Sequence, residues 1–548
     1  MADMIDSFST RDAAQPENRG PGTNSGTTWL DTVRRAFDRE IRRHESFFLV
    51  TALAVLTVFS LLFAWRQPFD VDEYLVRETA LSSSPIAVWR LLRTAPLSVD
   101  PPLYHFLIYY CLRILGPSEF FTRLPSVLAY TCMCFLLYRF VRRYTDVYTG
   151  LAVVALCLLC GTFPFAYDAR PYALVLAADT LALVCWARIV DQRQRRKRAL
   201  LGLFLGVAIA VGSHWFGFLV LVPLVLGETV RTWQKRSIDA QVWASLVASA
   251  GTALAYLPLL KAASEYRALP AWGGVRLGNV SDSFQLVLEP CMLPLTLLLV
   301  VSALARLFSA PPPKAEGSSV PRPVIIGVVG FALAPLAGFL VGKFVTHALQ
   351  PRYVLLCTIG LLILVALAIR DAVRRVAIWM ALAVSILGGC ALVLRYDALL
   401  GVPAGGDAMT FADVSIFSAK PNLPIVPGVD GLFLRLEAHA PASLRARCIF
   451  PTDPDFVRLL HQNTSFLMTE ALRRKTRLPI TDLSSFLNSH PQFYLIDFAS
   501  SPGWLVQRML NDHAEIALQG TYAGNPVYLV QVRRSLSPKP ARNRPLSN

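Results

Sequence analysis

Three acidic side chains stand within four residues at the end of the first long apolar run of the chain. They are Asp70, Asp72 and Glu73, and the run before them extends from Phe47 to Trp65. A carboxylate at a membrane boundary can abstract a proton, hold a metal ion, or simply be solvated. These three residues alone leave all three alternatives open, so the rest of the chain must decide between them.

Other polar residues also fall where apolar runs are predicted to reach the outer side. Arg170 and Arg352 are on the side that the positive-inside rule disfavours for cations. A guanidinium at that boundary suits a phosphate, because it forms bidentate charge-assisted hydrogen bonds. It could equally snorkel to lipid head groups or pair with a carboxylate. His214 next to Trp215 has its own alternative, a place in an interfacial aromatic belt.

The composition sets the class of protein. Of the 548 residues, 54% are hydrophobic and 16% are charged, and the mean hydropathy is +0.46. A chain this apolar and this long has room for many membrane spans and a separate domain. The net charge of +16 is concentrated in short loops between apolar runs, the pattern that encodes membrane orientation. We therefore predict a polytopic membrane protein that contacts membrane lipids and no nucleic acid.

The apolar runs and basic loops predict an all-α membrane protein with eleven crossings and a small C-terminal α/β domain. Arginines before the first span place the N-terminus in the cytoplasm, so the acidic cluster emerges outside the inner (plasma) membrane. The run from Pro101 to Leu115 falls short of the ~20 residues of a crossing and is expected to lie along the outer interface. The predicted parts are a disordered cytoplasmic tail (1–28), a cytoplasmic amphipathic helix (29–46), a transmembrane domain (47–394) with a catalytic first outer loop (66–122), an extracytoplasmic α/β domain (395–532) and a disordered basic tail (533–548).

The C-terminal domain alternates β-type and helical patterns. Strands are predicted at Arg447–Phe450, Phe493–Phe498 and Pro526–Val532, and helices at Asp455–Gln462 and Trp504–Asn511. The domain resembles no family that would give it a role.

Six short motifs follow one another on the predicted outer side. They are Asp72-Glu73, Pro101 to Tyr104, Arg123 to Ser126, Tyr167 to Tyr172, His214-Trp215 and Arg352-Tyr353. In this order they resemble the GT-C class of integral-membrane glycosyltransferases, and within it the protein O-mannosyltransferases, the lipid A aminoarabinose transferases and the galacturonosyl transferases of lipopolysaccharide core. The resemblance spans residues 47–394. It departs at Asp100 and Asp168, where members of the class often have His and Glu.

The resemblance implies transfer of a sugar from a polyprenyl-phosphate carrier to a lipid, glycan or protein acceptor on the outer face. A phosphate leaving group needs little protonation, so one carboxylate suffices as base, and cations must offset charge on the phosphate. Asp72 is the first candidate for the base and Asp70 the second, while Glu73 positions the acceptor or, with Asp72, holds a divalent metal ion. The predicted substrate-binding residues are Asp100, Tyr104, Asp168, Arg170, Tyr172, His214, Lys343, His347, Arg352 and Tyr353. Of these, Arg170, Arg352 and Lys343 are the ones expected to hold the phosphate.

Two rival functions would use the same features. A transporter or flippase of a lipid-linked sugar also needs outer cations, and a non-catalytic scaffold needs only its outer domain. Against the transporter, most predicted spans carry no charge deep within them and the chain shows no internal repeat. The scaffold is left open, because nothing in the C-terminal domain argues against it.

Overall fold

The computed structural model describes residues 39–94, 97–191, 196–267, 274–308, 319–375, 377–401, 409, 412–459, 469, 471–473, 478–498 and 503–532. Contacts divide the chain into the units Met1–His44 and Glu45–Asn548. In the first unit residues 39–43 are helical, and Glu40 pairs with His44 at 2.9 Å. The predicted tails 1–28 and 533–548, and residues 29–38 of the predicted amphipathic helix, lie outside the described residues.

The second unit begins with a long series of apolar helices. In chain order they are α1 (Glu45–Arg66), α2 (Val71–Ala80), α3 (Pro85–Thr94), α4 (Leu103–Leu115), α5 (Glu119–Tyr144), α6 (Val147–Leu159), α7 (Tyr172–Val190), α8 (Arg196–Ser213) and α9 (Leu221–Lys235). They continue with α10 (Ala240–Gly251), α11 (Leu257–Arg267), α12 (Gly278–Leu288), α13 (Met292–Phe308), α14 (Arg322–Ala332), α15 (Ala334–Val341), α16 (Cys357–Arg375) and α17 (Ala377–Leu400). Short 3₁₀ helices at Phe163–Ala166, Trp215–Val220 and Pro351–Val354 turn the chain between them.

Six helical stretches of the described residues are long and apolar enough to cross a membrane, and a bent pair at 322–346 would make a seventh. The kink of that pair is 56°. Helices α4 and α6 have 13 residues each, fewer than the ~20 that a crossing needs. For α4 this length agrees with the predicted interfacial position. The predicted total of eleven crossings stays a prediction.

Side-chain caps fix which helix ends meet. Arg66 Nη1 donates to the carbonyl of Leu399 at 3.2 Å, which joins the end of α1 to the end of α17. Arg395 donates to the last carbonyls of α6, with Nε 2.7 Å from Leu158 O and Nη2 3.2 Å from Leu159 O. A guanidinium satisfies carbonyls that a helix terminus leaves unpaired. These three helices therefore end on one side, together with residues 67–70, and we call it the acidic end of the bundle.

Ion pairs join helix ends on the opposite side. Glu45, at the start of α1, accepts from Arg142 Nε at 3.0 Å near the end of α5. Asp239 accepts from Arg231 at 2.7 Å, and Arg196 at the start of α8 also donates to it. These contacts place the start of α1 beside the end of α5, and the start of α8 beside the end of α9. Which end of the bundle is cytoplasmic stays a prediction.

The C-terminal domain contains two small sheets. Its strands are β1 (Ile425–Pro427), β2 (Phe450–Thr452), β3 (Ile480–Asp482), β4 (Gln492–Ile496), β5 (Glu515–Tyr522) and β6 (Asn525–Gln531), and its helices are α18 (Asp430–His439), α19 (Ala442–Arg445), α20 (Pro454–Leu459), α21 (Leu483–Ser489) and α22 (Trp504–Asn511). One sheet has the order β1-β4-β6-β5, with β1 parallel to β4 and the other pairs antiparallel. The other is the parallel pair β2-β3. The predicted fold class, a helical membrane protein with a small strand-containing C-terminal domain, is confirmed.

The hydrophobic core of this domain extends into the bundle. Phe69, Tyr74 and Leu75 belong to the same buried cluster as Phe433 and Leu495 of the C-terminal domain. Burying a large apolar side chain contributes about 1.5–3 kcal/mol, so several such residues hold α2 firmly against the domain. Gly431 lies at one close approach, because a Cβ built there would lie 2.9 Å from Val71 Cγ2. The helix that carries Asp72 and Glu73 is therefore packed on the C-terminal domain as well as on the bundle.

Candidate active site

The acidic cluster lies at the start of α2. Pro68 and the extended backbone of Asp70 separate α2 from α1, and Asp70 is the N-cap residue. The backbone N–H of Asp70 donates to Glu73 Oε2 at 3.0 Å, which satisfies a donor near the helix start. Asp72 and Glu73 consequently occupy the first turn, where the helix dipole favours negative charge.

Glu73 is buried in a bidentate ion pair with Arg123 of α5. Nε of Arg123 lies 2.7 Å from Oε1 and Nη2 lies 2.5 Å from Oε2. The backbone N–H of Ala169 also donates to Oε1 at 2.7 Å. Arg123 Nη1 donates to Ala64 O at 3.1 Å and Nη2 to Pro68 O at 3.1 Å. Both oxygens of Glu73 are thus engaged, and the pair fastens α2 to α5, the end of α1 and the loop before α7.

Asp72 points to a different set of cations. Its Oδ2 lies 2.7 Å from Arg170 Nη2 and 3.9 Å from Arg352 Nη2. The Arg352 side chain is 38% exposed, and its buried Nε has no hydrogen-bond partner among the described residues. The first candidate base therefore meets two of the three predicted phosphate ligands, Arg170 and Arg352, at one point. The pairing with a carboxylate that the sequence left open is what the structure shows for both arginines.

Aromatic rings line the side of this cluster. The guanidinium of Arg170 lies 5.1 Å from the centroid of the Tyr172 ring. The Tyr172 and His214 centroids are 5.4 Å apart, and those of His214 and Tyr353 are 5.1 Å apart. Burial acts to lower the pKa of Arg170, but nearby Tyr172 and Asp72 raise it well above its usual range. Arg170 is therefore a permanent cation with an aromatic wall beside it.

His214 links this wall to Asp100. Its Nδ1 accepts from the N–H of Phe216 at 3.1 Å, so the neutral ring carries its proton on Nε2. That nitrogen lies 3.6 Å from Asp100 Oδ1. Trp215 Nε1 donates to Val99 O at 2.7 Å and holds the same two segments together. His214 thus has neighbours in the candidate site on two sides.

Two further predicted residues lie behind Arg170. The Tyr104 hydroxyl is 2.7 Å from Ser126 Oγ, which donates to the carbonyl of Arg170 at 3.3 Å. Tyr104 therefore supports the backbone of the arginine. Asp168 is half-buried, and burial together with the Glu73 carboxylate raises its pKa well above the usual range.

Three predicted residues are placed apart from the arginine pair. Lys343 is exposed, with Nζ 5.8 Å from the Phe339 ring centroid, and His347 is exposed with a left-handed φ of 55°. Neither makes a hydrogen bond or ion pair with the acidic cluster in the part of the chain that the structure describes. Asp70 is exposed and lines a cleft towards the C-terminal domain.

The residues predicted to hold a divalent ion do not suit that task in this arrangement. Both oxygens of Glu73 accept from Arg123 and backbone N–H groups, and Asp72 faces two guanidinium groups. Among the described residues no group of three or more His, Cys, Asp or Glu side chains is placed to hold a metal ion. The divalent ion stays a prediction, and no step below depends on it.

Arg123 is the main functional residue that the sequence did not identify as part of the site. It was present in the motif Arg123 to Ser126, which was used only as evidence of resemblance. An arginine inside a predicted span, 1% exposed here, was the signal that it must have a buried acidic partner.

Comparison with known proteins supports the class of protein that the sequence motifs predicted. A family model described as dolichyl-phosphate-mannose-protein mannosyltransferase matches residues 99–260, which include Asp100, Arg170 and His214. The fold is similar to the crystal structure of ArnT from Cupriavidus metallidurans in the apo state, with a TM-score of 0.54 and 14% identity over 88% of this chain and 97% of that chain. It is also similar to ArnT from that organism bound to undecaprenyl phosphate, with a TM-score of 0.53 and 14% identity over 90% of this chain and 99% of that one. No curated protein matches the chain in sequence.

The similar fold, together with the family match over residues 99–260, supports the predicted GT-C class of integral-membrane glycosyltransferases. The resemblance drawn from the motifs is thereby confirmed. The particular donor and acceptor belong to the proposal that follows.

Proposed function

We propose that this protein transfers a sugar from a polyprenyl-phosphate donor to an acceptor hydroxyl on the outer face of the membrane. One observation carries the proposal, namely the convergence of Arg170 and Arg352 on Asp72. A base and two phosphate-binding cations are the groups that this reaction needs. The ArnT structure with bound undecaprenyl phosphate supports the choice of carrier.

Arg170 and Arg352 bind the donor phosphate. Their guanidinium groups offer planar donors that match phosphate oxygens. Among the described residues Arg352 Nε has no hydrogen-bond partner, so this donor is available to a ligand. Bond cleavage between the anomeric carbon and the phosphate oxygen leaves an electron pair, and thus extra negative charge, on the phosphate. The two cations stabilise that charge, so the leaving group departs without an acid.

Asp72 takes the proton of the attacking hydroxyl. The acceptor oxygen forms the new bond to the anomeric carbon while the C–O bond to phosphate breaks, and the hydroxyl proton passes to the Asp72 carboxylate. Because phosphate competes with Asp72 for the same guanidinium groups, donor binding frees the carboxylate for this role. Asp100, His214, Tyr172 and Tyr353 form the wall along which the sugar binds.

The test is transfer of labelled sugar from native-membrane polyprenyl-phosphate donors to endogenous acceptors. We expect purified wild type to transfer sugar and Asp72→Asn to lose at least about 100-fold in rate, the scale of one general base. Binding of undecaprenyl phosphate should persist in Asp72→Asn. Asp512→Asn is the matched control, since Asp512 pairs with Arg508 at 2.9 Å on the exposed surface, and it should keep wild-type transfer. Lipid binding without transfer by the wild type would refute the proposal and favour a carrier-lipid transporter or a scaffold.

A further inference from the structure

A second hydrogen-bonded cluster lies where three parts of the fold meet, and the proposed reaction does not use it. Nε2 of His439 lies 2.9 Å from the Tyr74 hydroxyl and 3.0 Å from Glu119 Oε1. The Tyr74 hydroxyl also donates to Glu119 Oε1 at 3.2 Å. Because a carboxylate oxygen only accepts hydrogen bonds, Nε2 of His439 carries a proton. The cluster therefore joins α2, the first turn of α5 and the last residue of α18.

This cluster is largely shielded from water. Tyr74 is 3% exposed, and its ring packs edge-on against Phe69 with the centroids 5.1 Å apart. The side chains of His439 and Glu119 are 20% and 24% exposed. Hydrogen bonds to a carboxylate are strong, and partial burial strengthens them further. The three side chains are thus held in one arrangement.

Helix α5 reaches two consecutive residues of α2 with two groups one turn apart. Its Glu119 accepts from Tyr74, and its Arg123 is paired with Glu73. Residues four positions apart lie on one face of a helix, so both links start from a single face of α5. Tyr74 is therefore a second polar anchor of α2 beside Glu73. His439 is the group that the C-terminal domain adds to this anchor.

The anchor at Tyr74 acts on the side of α2 away from Asp72. Side chains two positions apart in an α-helix differ by about 200° around the axis, so these two point in nearly opposite directions. The apolar contacts of Phe69 and Leu75 hold α2 against the domain, but apolar attraction is non-directional. Hydrogen bonds depend on angle. The bonds at Tyr74 therefore set the rotation of α2 and the direction in which Asp72 meets Arg170.

We propose that His439 is a positioning residue for sugar transfer and that it holds Asp72 in its working orientation. It acts through Tyr74 and Glu119, whose hydrogen bonding its N–H completes. This inference rests on the proposed function. Without the N–H, α2 is free to turn, and the Asp72 carboxylate is less often aligned with the attacking hydroxyl.

The loss should fall on the chemical step and not on donor binding. Arg170 and Arg352, which bind the donor phosphate in the proposed reaction, are carried by the loop before α7 and by the 3₁₀ helix Pro351–Val354. A change in the rotation of α2 leaves both elements in place. A positioning role therefore lowers kcat while the apparent KM for the donor stays the same.

The test compares two substitutions of His439 in the transfer assay. His439→Leu removes the N–H at similar bulk and should lower kcat about 10-fold, the scale of one hydrogen bond to a charged group. Binding of undecaprenyl phosphate and the apparent KM for the donor should keep their wild-type values. His439→Gln retains an N–H at a similar distance from the backbone and should recover most of the kcat.

Tyr74→Phe tests the same contact from the other side and removes only a hydroxyl group. It should lower kcat by a similar factor, and the double variant with His439→Leu should be no slower than the single ones, because both break one contact. Turnover is expressed per bound undecaprenyl phosphate, so that a loss of folded protein does not count as a loss of kcat.

His490→Leu is the matched control. His490 is also half-buried in the C-terminal domain, but its Nδ1 lies 2.9 Å from Ser489 Oγ and its ring stacks on Phe486. This variant should keep the wild-type kcat. Wild-type kcat in both His439→Leu and Tyr74→Phe would overturn the inference, as would additive losses in the double variant or an equal loss in His439→Gln. Absence of transfer by the wild type would instead refute the proposed function, and the inference with it.

Discussion

Glu73 and Arg123 form a bidentate ion pair in which the side chains are only 4% and 1% exposed. The pair joins the first turn of α2 to α5, and Arg123 extends the link to carbonyls at the end of α1. Both oxygens of the Glu73 carboxylate already accept hydrogen bonds, so Glu73 is not placed to act on a substrate. We therefore interpret Glu73 as a positioning residue for its neighbour Asp72.

Substitutions of the two adjacent carboxylates, Asp72 and Glu73, should therefore have different effects on stability and on transfer. Glu73→Gln breaks a buried pair and should lower the free energy of unfolding by about 3–5 kcal/mol, because Arg123 is left without its counter-charge. Asp72→Asn should abolish transfer while the thermal midpoint stays near wild type, since Asp72 is 31% exposed. Thermal unfolding followed by fluorescence, run beside the transfer assay, checks both. Equal stability of the two variants would contradict the assignment of Glu73.

Arg352 should contribute mainly to donor binding. It is more exposed than Arg170 and lies 3.9 Å from Asp72, so its loss leaves no buried charge unpaired. We expect Arg352→Ala to weaken undecaprenyl phosphate binding about 10-fold or more, the scale of a charge-assisted hydrogen bond. Arg352→Lys should recover only part, because an ammonium lacks the bidentate geometry. Arg445→Ala, on the exposed surface, should bind the lipid as wild type does.

A substitution of Gly431 tests whether the C-terminal domain positions the first turn of α2, which carries Asp72. A methyl group at this residue would lie 2.9 Å from Val71 Cγ2, so Gly431→Ala should shift the start of α2. Transfer should fall several-fold. Gly251→Ala is the matched control, because a Cβ there meets nothing within 4 Å. Transfer rates that are equal for the two variants would show that α2 tolerates movement at this contact.

The buried carboxyl group of Asp497 should make the stability of the folded protein depend on pH. It follows β4, is 1% exposed, and its Oδ1 has no hydrogen-bond partner among the described residues. Burial raises its pKa, although the Gly503 N–H at 2.7 Å from Oδ2 opposes the shift. A raised pKa means that the folded state binds the proton more tightly, so stability falls as pH rises from the ordinary Asp value of about 3.9 through the raised one.

Asp497→Asn should therefore unfold at a higher temperature than wild type at pH 7. The difference should shrink as the pH is lowered towards 4, where wild-type Asp497 takes up its proton. Thermal midpoints measured between pH 4 and pH 8 check this. Asp413→Asn should give no such gain, because hydrogen bonds from Ser415 lower the pKa of Asp413 instead. A constant difference at every pH would argue against titration of Asp497.

The predicted orientation can be tested by labelling. Leu518→Cys on β5 and Lys197→Cys on α8 place exposed thiols in the C-terminal domain and at the opposite end of the bundle. In intact cells a thiol reagent that cannot cross membranes should label the first and miss the second. The background should lack the exposed Cys132 and Cys390, whereas Cys448 of the domain is buried. If only Lys197→Cys were labelled, the predicted orientation would be wrong and the C-terminal domain would lie on the cytoplasmic side.

The sequence predicted the groups of the candidate site better than their partners. Hydropathy and loop charge suffice to bring the first acidic cluster, Arg170 and Arg352 to one end of the bundle, because they fix the direction of each helix. They cannot show that Glu73 and not Asp72 pairs with Arg123, since that choice depends on side-chain geometry across 50 residues. Lys343 and His347 share the predicted side with the cluster, yet they lie on other surfaces.

In the C-terminal domain strands β4 and β6 were predicted, β1, β3 and β5 were not, and the predicted run Arg447–Phe450 meets β2 only at Phe450. Strands β4 and β6 overlap the predicted runs Phe493–Phe498 and Pro526–Val532. Strand β1 has three residues, too few for a period to be seen. Strand β5 contains Gln519 and Gly520, which interrupt the run of apolar residues by which a strand is recognised in sequence. The core shared with α2 joins residues more than 300 positions apart and leaves no local signal in sequence.

That shared core sets an order on biosynthesis. The acids of α2 leave the ribosome more than 400 residues before Leu495 and Val530, with which Leu75 shares its core. A nascent chain thus carries its carboxylates without the support that fixes them. We therefore expect chains that stall before Leu495 to be inserted in the membrane with the first turn of α2 not yet held in place.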